Sequence, residues 1–185
     1  MILPVYAYGQ KVLKKKAADI KKGYEGLDSL IENMWATMYN AKGVGLAAPQ
    51  IGLSIRLFLV DTEQIKSDED IGQPIKKVFI NAQMLDESGE NVSYEEGCLS
   101  IPDIRADVNR NEEITIEYYD EAFNLHKETY SGFTARVIQH EYDHIEGVLF
   151  TEKLQPLKRR MIKRRLENIR KGNVVTDYRM KFARL

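Results

Sequence analysis

Between Leu27 and Met38 the apolar residues Leu27, Leu30, Ile31, Met34, Trp35 and Met38 fall at i, i+3, i+4, i+7, i+8 and i+11, the period of a helix with one buried face. Gly43 is the predicted stop, and Trp35 and the methionines of this stripe belong to the core. Short β-branched and aromatic runs at Ile55–Val60 and Lys77–Asn81, and the partly alternating Ile114–Asp120, read as strands. The polar span 61–74 breaks both periods and reads as a surface loop. After a turn near Asp120–Ala122, "FNLHKETY" continues the strand run. Phe133, Val137, Ile138, Tyr142 and Ile145 then lie on one helical face, with Gly147 as the C-terminal stop. Pro156 opens a last helix, Leu157–Lys171, with a narrow apolar stripe, strongly basic flanks and Gly172 at its end. The tail to Leu185 carries no assignment. This order predicts an α+β fold: mostly antiparallel strands packed around a central helix bearing "HEYDH", with an N-terminal and a C-terminal helix.

A chain of 185 residues predicts one domain, 1–185. The 27 basic and 28 acidic residues nearly balance, which argues against a general nucleic-acid or membrane-surface binder. Their distribution is uneven. From Lys153 onward the acidic residues are Glu167 and Asp177 amid many Lys and Arg, whereas Asp86–Glu96 is rich in carboxylates. No apolar run has the length of a membrane span or of a signal peptide, so a soluble, intracellular protein is expected. Cys98 is the single cysteine; an intramolecular disulfide is excluded and a reducing compartment is the simplest setting.

The chemistry concentrates in "QHEYDHIEGVLF", Gln139–Phe150. Residues four apart on a helix differ by about 40° and about 6 Å along the axis, so His140 and His144 can grip one ion. Glu141 lies about 100° around from His140, placed to address a water on that ion as general base. The zinc-protease pattern that continues to a third histidine has Phe150 in that place instead. A third ligand must come from elsewhere.

Glu167 is the candidate a thermolysin-like enzyme would use, but its many basic neighbours suit it better to ion pairing. His126 lies in a predicted strand, and Cys98 sits in "EEGCLSIP". A thiolate with two imidazoles leaves an open fourth position, the mark of a catalytic site, although spacing alone does not select it. Gly97 and the segment to Pro102 predict a tight, extended turn whose N–H groups can hold an oxyanion. "GVGLAAPQIG", Gly43–Gly52, leaves a bare backbone with Gln50 as its neutral polar side chain. It lacks the third glycine and the lysine of phosphate-binding loops and follows a helix, which argues against nucleotide binding.

Together "GVGLAAPQ", "EEGCLS" and "QHEYDH" resemble, in order and content, the three motifs of peptide deformylase, and the resemblance covers nearly the whole chain. It implies a cytoplasmic hydrolase that removes the formyl group from formylmethionine of nascent proteins and releases formate. Carried onto this sequence, Cys98, His140 and His144 would bind the metal and Glu141 would be the acid/base. The main-chain N–H of Leu99 and the amide of Gln50 would hold the oxyanion. Val44, Gly45 and Gly97 would bond the substrate main chain, Arg105 would stand near the substrate, and Phe133 and Val137 would form the methionine pocket. The implied cofactor is one divalent ion, Fe2+ in the cell, with Zn2+, Ni2+ or Co2+ able to take its place. N-formyl-Met nascent peptides are the expected partners, with ribosome contact through the basic C-terminal helix, and neither membrane nor DNA. Two rivals remain: a zinc endopeptidase ligated through Glu167 or another carboxylate, and a catalytically silent RNA- or ribosome-binding protein.

Overall fold

The computed structural model describes residues 1–65 and 71–183. In chain order it contains β1 (Val5–Tyr6), α1 (Leu27–Asn40), β2 (Gly45–Ala47), β3 (Leu57–Asp61), β4 (Lys76–Cys98), β5 (Ile101–Tyr119), β6 (Leu125–Ser131), α2 (Gly132–Ile145), α3 (Pro156–Arg170) and β7 (Met180–Lys181). Short 3-10 turns stand at Lys11–Lys14, Ala48–Ile51 and Phe150–Lys153. Strands β2-β3-β4-β5-β6 form one antiparallel sheet, and β1 pairs with β7 in parallel. The architecture is thus a mixed α/β fold with a mostly antiparallel sheet.

Strand β3 shows why an unbroken apolar run became a strand. Leu57 and Leu59 join the cluster with Ile31, Met34 and Met38 of α1, while Phe58 and Val60 join Ala135, Ile138 and Ile145 of α2. Alternate residues face opposite sides, and both sides are covered by a helix. The third cluster joins Ile101, Ile104 and Val108 of β5 to Phe150 and to Ile162 and Ile169 of α3, with Cys98 at its edge.

Three expectations need correction. The stop after α1 is not Gly43: Lys42 takes the left-handed conformation (φ 57°), and the Gly43 N–H bonds back to the Met38 carbonyl at 2.9 Å. Gly43 serves space instead, since a Cβ there would meet Leu99 Cδ1 at 2.9 Å. The strands predicted at 77–81 and 114–120 are the ends of a much longer hairpin, in which β4 is largely polar and exposed over 85–95 while β5 alternates buried Ile104, Ala106, Val108 and Arg110 with exposed residues. β7 lies in the tail, where the sequence pattern specifies no element. Gly147 does end α2 as predicted, with φ 75°, and a Cβ there would meet the Lys14 backbone at 2.9 Å. Of the loop expected over 61–74, Asp61 belongs to β3 and residues 66–70 lie outside the described residues. No helix among the described residues is long and apolar enough to cross a membrane.

Candidate metal centre

Two elements bring the centre together. α2 supplies His140, Glu141 and His144, and the end of β4 supplies Cys98. The ligand atoms of Cys98, His140 and His144 all lie within 4.8 Å of one another, with Cys98 Sγ 3.3 Å from His144 Nε2. Neither alternative third ligand joins them. His126 Nε2 pairs with Asp120 at 2.8 Å, and Glu167 pairs with Arg170 at 2.7 Å on the exposed side of α3. Phe150, 2% exposed, packs against the His140 ring with centroids 6.0 Å apart. It walls the histidine and ligates nothing.

The sheet places Cys98 through an irregularity. Glu96 pairs with Ala106 and Cys98 with Ile101, so two residues of β4 are spanned by five of β5. The extra residues arch outward with Asp103 at φ 62°, and the guanidinium of Arg165 on α3 donates to the Asp103 carbonyl. The arch leaves Leu99 in a two-residue turn beside the sulfur. Gly97 lies under Arg105: a Cβ there would meet Nη1 at 2.9 Å.

A buried ionic network holds His140, and composition had hidden it. His140 Nδ1 donates to Glu96 Oε2 at 3.0 Å, which turns Nε2 toward the cluster. Glu96 in turn accepts from Arg110 at 2.6 and 3.0 Å and from Arg136 at 2.9 Å. Arg110 also donates to Asp143 of α2 at 2.8 Å. Burial pushes the Glu96 carboxyl up, but the bonds from His140 and Arg110 and the Arg110 charge outweigh it and hold the group far below the usual range. The sequence reading placed Glu96 in an acidic stretch; among Asp86–Glu96 it is the buried one. Replacing Glu96 with glutamine is expected to weaken metal binding about 10–100-fold, the usual cost of losing a carboxylate behind a ligating histidine. Competition with a chelator reads this directly; unchanged affinity would refute the positioning role.

Glu141 is 4% exposed, and its Oε2 has no hydrogen-bond partner among the described residues. Burial pushes its carboxyl up to about 7, the range in which a group can both take and return a proton near neutrality. A Cβ at Gly45 would meet Glu141 Oε1 at 2.4 Å, so the bare backbone of β2 is what admits the carboxylate. Gln50, 1% exposed, is fixed by its surroundings: Oε1 accepts from the Ala47 N–H at 2.9 Å. Its Nε2 is thereby turned to the cluster, 3.5 Å from Cys98 Sγ and 3.3 Å from Ser100 Oγ.

These groups face one groove of about 690 Å³, lined also by Val44, Gly45, Gly97, Leu99, Arg105, Phe133 and Val137. Every residue assigned to the site from the sequence therefore reaches this groove or its ligand cluster. Arg105 stands at the exposed rim, paired with Glu95 at 2.8 Å, and Phe133 packs on Tyr94 with centroids 5.5 Å apart. β2 is an edge strand of the sheet, and β4 near Cys98 pairs only with β5. An extended peptide can lie between these two edges as an added strand.

The donor set suits a divalent ion. One thiolate and two imidazoles converge, one imidazole already oriented from behind, and three protein ligands leave a coordination position open. The family model described as Polypeptide deformylase matches residues 2–160.

The chain belongs to the peptide deformylase family.

A peptide deformylase of Christiangramia forsetii is 57% identical over 98% of this chain and 96% of its own length. One of Flavobacterium psychrophilum is also 57% identical, over 99% and 98%. The crystal structure of a peptide deformylase from Legionella pneumophila superposes with a TM-score of 0.81 at 36% identity, covering 94% of this chain and 98% of that one. Members of the peptide deformylase family are metal-dependent hydrolases that remove the N-formyl group from nascent peptides. The family match ends before most of α3 and the tail.

Proposed function

We propose that Cys98, His140 and His144 hold one divalent ion and that Glu141 moves the proton in the deformylation of formyl-Met peptides. The observation that carries this reading is the convergence of the three ligand atoms beside an unpartnered, buried carboxyl. An ion held there supplies Lewis acidity and makes water nucleophilic near neutral pH. Glu141 takes the water proton and returns it to the departing amine. Gln50 Nε2, 3.5 Å from the sulfur, and the N–H of Leu99, the residue after Cys98, stabilise the negative charge that develops on the formyl oxygen. The edges at Val44, Gly45 and Gly97 hold the peptide main chain, Phe133 and Val137 face the methionine side chain, and Arg105 stands at the rim.

The native ion in this reading is Fe2+, with Zn2+, Ni2+ and Co2+ as substitutes, because a thiolate and two imidazoles suit these metals alike and supply decides among them. Residues 1–185 act as one cytoplasmic domain with α2 as its central helix. Formate release from formyl-Met and acetyl-Met peptides tests the function: formate is expected from the first alone, and none from Cys98→Ser. An iron-loaded sample should lose this activity in air faster than a nickel-loaded one; equal lifetimes would count against iron.

α3 offers a second contact. Its Lys and Arg side chains other than the half-buried Arg170 are exposed, and Leu157 and Met161 are 70% and 67% exposed among them. This basic face docks on ribosomal RNA through phosphate contacts that weaken with salt. Co-sedimentation with ribosomes should fall for Lys158→Glu combined with Arg160→Glu; undiminished binding would refute the contact.

A further inference from the structure

Residues 171–183, beyond α3, do not leave the molecule. They return as an extended strap whose alternate residues Val174, Thr176, Tyr178 and Met180 are half-buried, while Val175, Asp177, Arg179 and Lys181 are exposed. Val174, Met180 and Phe182 pack on the cluster that contains Phe150 and has Cys98 at its edge. The far end is tied down: β7 pairs with β1, the Val5 N–H donates to the Arg179 carbonyl at 2.9 Å, and Gln10 Nε2 donates to the Phe182 carbonyl at 2.7 Å. Between its anchors, the strap lines the same groove as Cys98 and Glu141.

Two contacts specify what it does there. The Tyr178 hydroxyl donates to the Leu99 carbonyl at 2.8 Å. Leu99 and Ser100 form the turn that presents the Leu99 N–H, and the Ser100 carbonyl is already held by the Tyr8 N–H at 2.8 Å. Tyr178 supplies the matching hold on the first peptide of the turn. Lys42 pairs with Asp177 at 2.5 Å, joining the strap to the segment just before β2. That pair is exposed and screened, so it adds little to folding; its effect is to fix the groove's outer edge. Val175 stands beside it, 91% exposed yet facing the groove.

We propose that the strap, residues 173–181, is a working wall of the substrate groove: Tyr178 is a positioning residue for the Leu99 turn, and Val175 to Asp177 contact the substrate residues that follow the formylated methionine. This rests on the deformylase reading of the groove. The reacting end lies among buried residues, whereas Lys42, Arg105, Val175 and Asp177 are exposed at the rim. A peptide advances about 3.3 Å per residue, so a dipeptide stays near the buried end and a longer chain must cross the rim.

The test uses the metal-loaded full chain with Tyr178→Phe and Val175→Asp, assayed on formyl-Met-Ala and formyl-Met-Ala-Ser. Calorimetric Kd values for the products Met-Ala and Met-Ala-Ser are measured alongside. Tyr178→Phe should lower kcat about 3–10-fold at both lengths with KM held, as expected for one hydrogen bond whose net worth is about 1 kcal/mol. Val175→Asp should lower the ratio of kcat/KM for the longer to the shorter substrate about 5-fold and weaken Met-Ala-Ser relative to Met-Ala by a similar factor, about 1 kcal/mol. If Tyr178→Phe leaves kcat unchanged or lowers it only in step with Tm, Tyr178 does not position the turn; if Val175→Asp leaves the length ratios of kcat/KM and Kd unchanged, the strap is no wall of the groove. A wild-type chain that releases no formate would overturn the deformylase reading instead, and the Kd ratio would still judge the wall.

Discussion

Replacing Glu141 with glutamine is expected to lower kcat/KM for a formyl-Met peptide by about 10²–10⁴-fold while the bound metal stays in place. Glutamine keeps the shape of the side chain but can neither take the water proton nor return one to the amine. The metal should stay because Glu141 is not one of the three convergent ligands. Gly45→Ala offers a check that leaves the carboxyl chemistry untouched: the new methyl would collide with Glu141 Oε1, so activity should fall through displacement alone. Metal analysis beside steady-state kinetics separates these effects. Wild-type rates for Glu141→Gln would remove Glu141 from the mechanism.

For Gln50→Ala the expected loss is about 10²–10³-fold, carried mainly in kcat. The direction follows from how the amide is held. Because the Ala47 N–H occupies Oε1, the donor end faces the cluster, and it needs no reorientation when charge develops on the formyl oxygen. An interaction stronger in the transition state than in the ground state appears in kcat and hardly in KM. If Gln50 served only to hold the turn at Ser100, its removal would lower Tm and leave kcat near the wild-type value. That pattern would transfer the oxyanion role to the Leu99 N–H alone.

The helices were legible because one face of each is buried. The stripe Leu27–Met38 became α1 with Leu27, Ile31, Met34 and Met38 in the core, and the basic helix predicted over 157–171 became Pro156–Arg170. The hairpin β4–β5 was legible where apolar residues of both strands face the helices. Farther along, β4 meets solvent over 85–95 and its side chains no longer report the backbone, whereas β5 keeps a period of two, with Ile104, Ala106, Val108 and the charged Arg110 buried between exposed residues. The strap alternates half-buried and exposed residues along "VVTDYRMK", but eight mixed residues also suit an irregular segment, so their pattern alone does not specify it.

Chemistry local to one helix was fixed by spacing. His140 and His144 must share a face and Glu141 must stand beside them, whatever the rest of the chain does. The sequence also determined, through three motifs in order, the family and with it the reaction. Only the tertiary structure decided which groups surround those residues. It brought Cys98 across from a strand end, set Phe150 against His140 as a wall, and singled out Glu96 from its acidic neighbours by burying it between Arg110 and Arg136. It also returned Tyr178 to the Leu99 turn. The physical reason is range: helical periodicity acts over a few residues, whereas burial and pairing of charges depend on which distant segments share a core.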